Sequence, residues 1–206
     1  MNTKAISKKD WEKVNEQEWN SHWLGLLSSG NAIAYDLTKA HWERHIEVMD
    51  LPKAGTSLGG KRILDLGGGL FSLLYNYSGR GRCLVVDPLP ALSVHIQHYL
   101  AGDIVYIQEP AEEFLESFKT WEKFDEVWIY NCLQHTINPE AILKGLPRVA
   151  NLLRISEPID TPVNDMHPHT FSEEDLLDAI ASIATGEYRT CKHEYLHAGG
   201  VFTLKS

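Results

Sequence analysis

Hydrophobic positions change their period once along this chain. Over the first fifty residues they recur at helical spacing, with Trp11, Trp19 and Trp23 in one set. Tyr35, Trp42, Ile46 and Met49 form a second set, separated from the first by the Ser-Ser-Gly-Asn break at Ser28 to Asn31. Pro52 and the glycine-rich stretch from Gly55 to Gly60 close the region. The pattern predicts an N-terminal helical extension over 1–55, acting as a lid or as core packing, before a main domain over 56–206. From Lys61 onward, short apolar runs alternate with helical patterns. Arg62–Leu66, Cys83–Asp87, Asp103–Ile107, Phe124–Tyr130 and Leu152–Ser156 read as buried strands. Pro90–Leu100, Glu112–Trp121 and Asp175–Ile183 read as helices, and Tyr188–Leu196 and Gly200–Leu204 as two closing strands. Strands alternating with helices predict an α/β fold around a doubly wound, mostly parallel sheet.

Composition narrows the function classes. A chain of 206 residues suits one domain with a full core. No run approaches the roughly 20 apolar residues that cross a bilayer, and Met1 to Trp11 lacks the apolar stretch of a signal peptide. The expectation is a cytoplasmic protein without a membrane span. Cys83, Cys132 and Cys191 are scattered, which suits a reducing compartment better than a disulfide scaffold. A net charge of −9 argues against duplex nucleic acid as a partner, because phosphate neutralisation needs clustered Lys and Arg. A small-molecule partner is expected instead, and no pattern in the chain dictates an oligomeric state.

The strongest chemical signal is Asp65-Leu66-Gly67-Gly68-Gly69-Leu70-Phe71-Ser72, placed directly after a strand and expected to open a helix. Glycines allow a tight turn and let backbone approach a ligand without Cβ clashes. A helix N-terminus adds free N–H groups for an anionic ligand group. Asp87 follows Gly69 by 18 residues at the end of the next strand, where a carboxylate accepts hydrogen bonds from ribose hydroxyls. NAD-binding and S-adenosylmethionine-binding folds both use this geometry.

Further motifs discriminate between them by resemblance. Asp65 to Gly69, Val85-Val86-Asp87-Pro88, Ala111-Glu112-Glu113-Phe114 and Phe124 to His135 with Asn138-Pro139 occur in that order. From Lys61 to Ile159, and more loosely to Ser206, the chain resembles the class I S-adenosylmethionine-dependent methyltransferases. The resemblance implies a Rossmann-like sheet and S-adenosyl-L-methionine as cofactor. It implies that Gly67, Gly68 and Gly69 cradle the methionine end, that Asp65 contacts its ammonium through water, and that Asp87, beside Pro88, holds the ribose. It places Ala111 and Glu112 near the adenine and Asn131 near the methionine end. Two departures stand out: Phe71 occupies a place where many members have glycine, and Arg148-Val149-Ala150-Asn151 replaces the usual Gly-Gly turn.

Methyl transfer from a sulfonium asks the protein to align a nucleophile and, for some O or N acceptors, to remove a proton. Candidate bases follow the fourth and fifth strands, where ligands gather in open α/β sheets. His135, His167 and His169 are the catalytic candidates, with Glu157 and Asp160 nearby. The His-Pro-His segment, 167–169, resembles one in a subset of small methyltransferases. No metal site is assigned, because Pro168 suggests positioning rather than chelation by His167 and His169 with Asp165 or Asp160. His193-Glu194-Tyr195-Leu196-His197 matches a zinc-protease pattern that requires a helix. On a strand, residues four apart stand roughly 13 Å from each other, too far to share one ion. Cys132, beside the expected cofactor site, reads as a buried apolar cysteine. The reading is methyl transfer to an O, N or C acceptor on a small molecule or nucleotide-sized group. Two alternatives remain open: S-adenosylmethionine chemistry other than methylation, and a binding module without catalysis.

Overall fold

A computed structural model describes residues 5–18, 42–69, 72–89, 104–119, 122–164, 167–192 and 195–206. Its seven strands are β1 (Ile63–Leu66), β2 (Cys83–Asp87), β3 (Ile104–Gln108), β4 (Phe124–Tyr130), β5 (Ala150–Pro158), β6 (Ala184–Lys192) and β7 (Leu196–Leu204). They form one sheet in the order β3-β2-β1-β4-β5-β7-β6. Strands β1 to β5 pair in parallel, and β7 inserts antiparallel between β5 and β6. The strand order reverses between β1 and β4. That reversal opens the crevice where ligands bind in such sheets.

The helices among the described residues are α1 (Lys8–Glu18), α2 (residues 42–48), α3 (Ala111–Ser117), α4 (Pro139–Val149) and α5 (Glu173–Ile183). Alternation along the strands splits the core into two layers. Leu64, Leu66, Val127, Ile129, Leu153 and Ile155 face α3, α4 and α5. Ile63, Val85 and Trp128 face the opposite layer, which holds Met49, Leu51, Leu73 and Leu74. Asn138 caps α4 by accepting from the Ala141 N–H, with Pro139 as its first helical residue. Ile142, Leu146 and Val149 then recur at helical spacing against the sheet. Ser172 caps α5 through the Asp175 N–H, as the capping-box pattern requires.

The two helical segments of the extension occupy different places. Val48 and Met49 of the second are fully buried, and Trp42 and Ile46 pack against the same layer. Arg154 of β5 donates to the Met49 and Asp50 carbonyls at 2.7 and 2.8 Å, while its Nε donates to Glu126 at 2.8 Å. The end of α2 is therefore fastened to the centre of the sheet. Helix α1 instead lies over the loop after β4. Trp11 Nε1 donates to the His135 carbonyl at 3.0 Å, the Ile6 N–H donates to the Ile137 carbonyl, and Lys8 pairs with Glu113. Trp19, Trp23, Tyr35 and the Ser28–Asn31 break lie outside the described residues.

Several predicted elements differ in extent. The helix expected after the glycine turn is a 3-10 turn, Leu73–Asn76, because Tyr77 and the following Ser78-Gly79-Arg80-Gly81 leave helical geometry and lead into β2. Helix α3 stops at Ser117 rather than continuing to 121. Arg148 donates to the Leu115 and Phe118 carbonyls there, and Phe118 turns extended to stack on Phe124. The closing strands begin earlier than expected, so Leu196 opens β7 instead of ending β6. His193 and Glu194, like the predicted helix at 90–100 and Asp103, lie outside the described residues. No helix among the described residues is long and apolar enough to cross a membrane.

Candidate active site at the carboxyl ends of the strands

The turn after β1 is set by its glycines. Gly67 has φ +73°, and a Cβ there would overlap Cys132 Sγ. A Cβ on Gly68 would overlap the Asp65 carboxylate, which lies directly beneath it. Glycine is thus required by close approach on both sides. The Gly69 N–H donates to Asp87 Oδ2 at 2.9 Å, and the Leu89 N–H to Asp87 Oδ1 at 2.9 Å. Asp87 is buried at the end of β2, aligned on the turn by two backbone donors. Each carboxylate oxygen accepts one of these two backbone bonds. Pro88 follows, half-buried, its carbonyl 3.4 Å from Gln108 Nε2.

Asp65 is fully buried at the end of β1. Ser72 Oγ and Tyr130 Oη both donate to its Oδ2, the latter at 2.7 Å, whereas Oδ1 is buried with no hydrogen-bond partner. Burial raises the carboxyl pKa to about 7, against the lowering effect of the two hydroxyls. An acceptor left open in the interior is uncommon, and here it lies beneath the glycine turn.

The loop after β4 closes the other side. Asn131 turns the chain with φ +49°, a conformation asparagine tolerates, and its Oδ1 accepts from Gln134 Nε2 at 3.1 Å. Cys132 is buried, and burial followed by the charge of Glu157 pushes its thiol well above the usual range. That is the opposite of an activated nucleophile. Both Glu157 oxygens accept from the Cys132 N–H, at 3.0 and 3.2 Å. Glu157 is fully buried, and burial raises its pKa to about 8. It is a clamp on the loop rather than an exposed base. Glu112, in the first turn of α3 beside buried Ala111, accepts through Oε1 from the Ile137 and Asn138 N–H groups at 2.9 and 2.8 Å.

The three histidines converge on this same loop in different ways. The His135 and His167 rings meet edge to face with centroids 4.7 Å apart. His169 is buried, and its Nε2 lies 2.8 Å from the Thr136 carbonyl. A carbonyl only accepts, so Nε2 carries the proton. Burial holds the His169 pKa below the ordinary histidine value. His167 and His169 therefore turn to different partners. Asp165 lies outside the described residues, and Asp160 is exposed with φ +54°. Of the zinc-protease pattern, His197 sits on β7 opposite Pro158, in a hairpin rather than a helix.

Sequence reasoning missed Ser72, Tyr130 and a buried group behind them. His45 Nδ1 lies 2.9 Å from Ser156 Oγ, and its ring contacts those of His197 and Tyr130 at 5.1 and 5.5 Å. Burial, then His197 and Arg44, hold the His45 pKa well below the ordinary value. Tyr130 ends β4, Ser72 follows the glycine turn and His45 lies within α2, places that period alone does not separate from core packing.

No family model and no curated protein matches the chain. Solved structures do. The N-methyltransferase NodS from Bradyrhizobium japonicum, in complex with S-adenosyl-L-homocysteine, is similar over 96% of this chain and 99% of its own, with TM-score 0.66 at 13% identity. The magnesium protoporphyrin IX methyltransferase from Synechocystis, with bound S-adenosylmethionine, covers 98% and 100% with TM-score 0.69 at 14% identity. The chain has the methyltransferase fold. Burkholderia thailandensis 1,6-didemethyltoxoflavin-N1-methyltransferase, with its acceptor and S-adenosylhomocysteine bound, extends the likeness to TM-score 0.61 at 15% identity, over 100% of this chain and 94% of its own. In this methyltransferase fold the glycine turn, Asp65, Asp87 and the loop after β4 all border the carboxyl ends of the central strands.

Proposed function

We propose that the protein is an S-adenosylmethionine-dependent methyltransferase acting on a small-molecule acceptor. The observation that carries this reading is the pair of buried carboxylates flanking one glycine turn. Asp87 accepts from the turn itself, and Asp65 lies beneath it with an open Oδ1. A ligand with a ribose at one end and an ammonium group at the other fits that pair. In the proposed complex, Gly67 to Gly69 cradle the methionine end, Asp65 and Asn131 hold it, and Asp87 with Pro88 holds the ribose. Ala111 and Glu112 border the adenine. The cofactor would supply a methyl group on a sulfonium, from which the neutral thioether leaves without acid assistance. NodS, the Synechocystis enzyme and the toxoflavin enzyme, each with S-adenosylmethionine or S-adenosylhomocysteine bound, support the cofactor class.

On the acceptor side, the protein's tasks are to align the nucleophile, exclude water and remove a proton where the acceptor has one to lose. His135 and His167 are the proposed proton-accepting pair, and His169 holds the loop through Thr136. Calorimetric titration with S-adenosylhomocysteine and with NAD tests the cofactor assignment: binding of the first alone is expected. Formation of S-adenosylhomocysteine from S-adenosylmethionine across a panel of small amines, phenols and carboxylates then tests catalysis. A protein that binds the cofactor and turns over none of them is a binding module instead.

A further inference from the structure

Asp65 is held asymmetrically, and the cause is visible in the two hydroxyls beside it. Tyr130 Oη accepts from the Leu73 N–H at 2.9 Å, so its own proton is directed to Asp65. Ser72 Oγ accepts from the Leu74 N–H at 3.2 Å, and its proton goes to the same carboxylate. Both donors choose Oδ2. Neither serves Oδ1, which stays buried and unpartnered. Two backbone-locked hydroxyls on one oxygen fix the rotation of the carboxylate.

We propose that Tyr130 and Ser72 are positioning residues that orient Asp65 so that Oδ1 receives the ammonium group of the cofactor's amino-acid end. This rests on the methyltransferase reading. The two residues come from different elements, the end of β4 and the 3-10 turn after the glycines, so the orientation depends on both being in place. The rival explanation is that the hydroxyls merely tie β4 to the turn.

Two ligands separate the explanations. S-Adenosylhomocysteine carries the amino-acid end, whereas 5′-methylthioadenosine keeps the adenosine and sulfur and lacks it. Tyr130→Phe and Ser72→Ala should each weaken S-adenosylhomocysteine by about tenfold or more, the scale of a hydrogen bond to a charged group. Methylthioadenosine affinity should stay within about twofold of wild type on the same scale. Wild-type affinity for S-adenosylhomocysteine should rise as pH increases through about 7 and then level off, because the ionised carboxylate is the better partner for the ammonium. Removing a hydroxyl donor should move that rise to higher pH, and methylthioadenosine should show no such rise. Equal loss of both ligands in either variant, with its thermal transition retained, overturns the proposal in favour of the structural tie. Should Tyr130→Phe fail to fold, Ser72→Ala carries the same comparison. A wild type that binds neither ligand overturns the methyltransferase reading, and this assignment with it.

Discussion

At the scale of single residues, one carboxylate can be asked to separate a ligand role from a structural one. Asp87 accepts from both Gly69 and Leu89, so its loss removes a brace of the turn along with the proposed ribose contact. Asp87→Ala is expected to weaken S-adenosylhomocysteine by about 1.5–3 kcal/mol by titration, the scale of hydrogen bonds to a charged group. Asp87→Asn keeps one acceptor oxygen and should lose less. Unchanged affinity in a folded Asp87→Ala variant would show that the ribose lies elsewhere. The histidines make a second residue-scale case. His135→Gln or His167→Gln should cut turnover roughly 10²-fold if one imidazole takes the acceptor's proton, with cofactor affinity nearly unchanged. His169→Ala loses the Nε2 anchor to Thr136, so it should lower thermal stability as well as turnover. If both His135 and His167 variants turn over normally, positioning alone carries the reaction. These roles were only partly legible beforehand. Residue type and strand-end position marked Asp65, Asp87 and the histidines as candidates. Which imidazole is tethered and which is paired depended on where the loop after β4 meets the segment 167–169.

Among elements, the N-terminal helices differ in what they hold. Helix α1 and the preceding Ile6 reach the rest of the molecule through Trp11, Val14, Lys8 and the Ile6 N–H, largely along the loop after β4. Helix α2 ends in buried Val48, followed by buried Met49, with Arg154 on the Met49 and Asp50 carbonyls. Deletion of residues 1–18 should therefore leave a cooperative thermal transition while weakening turnover, because the His135 carbonyl loses its Trp11 partner. Deletion of residues 1–50 should abolish the transition, since fully burying side chains such as Val or Met contributes about 1.5–3 kcal/mol each. Circular dichroism on the two truncations reads the difference, and a retained transition in the longer one would remove α2 from the core. Helical spacing predicted amphipathic segments without saying which partner each apolar face meets. The missing Gly-Gly turn before β5 is an element-scale feature too: α4 passes from Val149 directly into Ala150 of the strand.

Over the whole molecule, buried carboxyls make stability depend on pH. Glu157 is raised from 4.5 to about 8 by burial, so the folded state binds a proton that the unfolded chain releases at lower pH. Its favourable contribution is fully present below about pH 4.5 and is lost as pH rises toward 8. Asp65, raised to about 7, acts in the same direction. His45 and His169, depressed by burial, act oppositely: the unfolded state takes up their protons as pH falls through the ordinary histidine range. Glu157→Gln should flatten the loss of stability between about pH 5 and 8, measured by denaturant melts across that window. An unaltered slope would show that Glu157 does not titrate there. The sequence by itself determined the alternating layers, the glycine turn and the acid at the end of β2, because period, glycine and strand-end position are local properties. Tertiary structure alone decided that β7 enters antiparallel between β5 and β6, that Tyr130 and Ser72 share Asp65, and that His135 meets His167. Apart from Ser72, seven residues from Asp65, the partners in those contacts lie far apart in the chain, and no local pattern of hydrophobic and polar positions encodes a pairing across such distances.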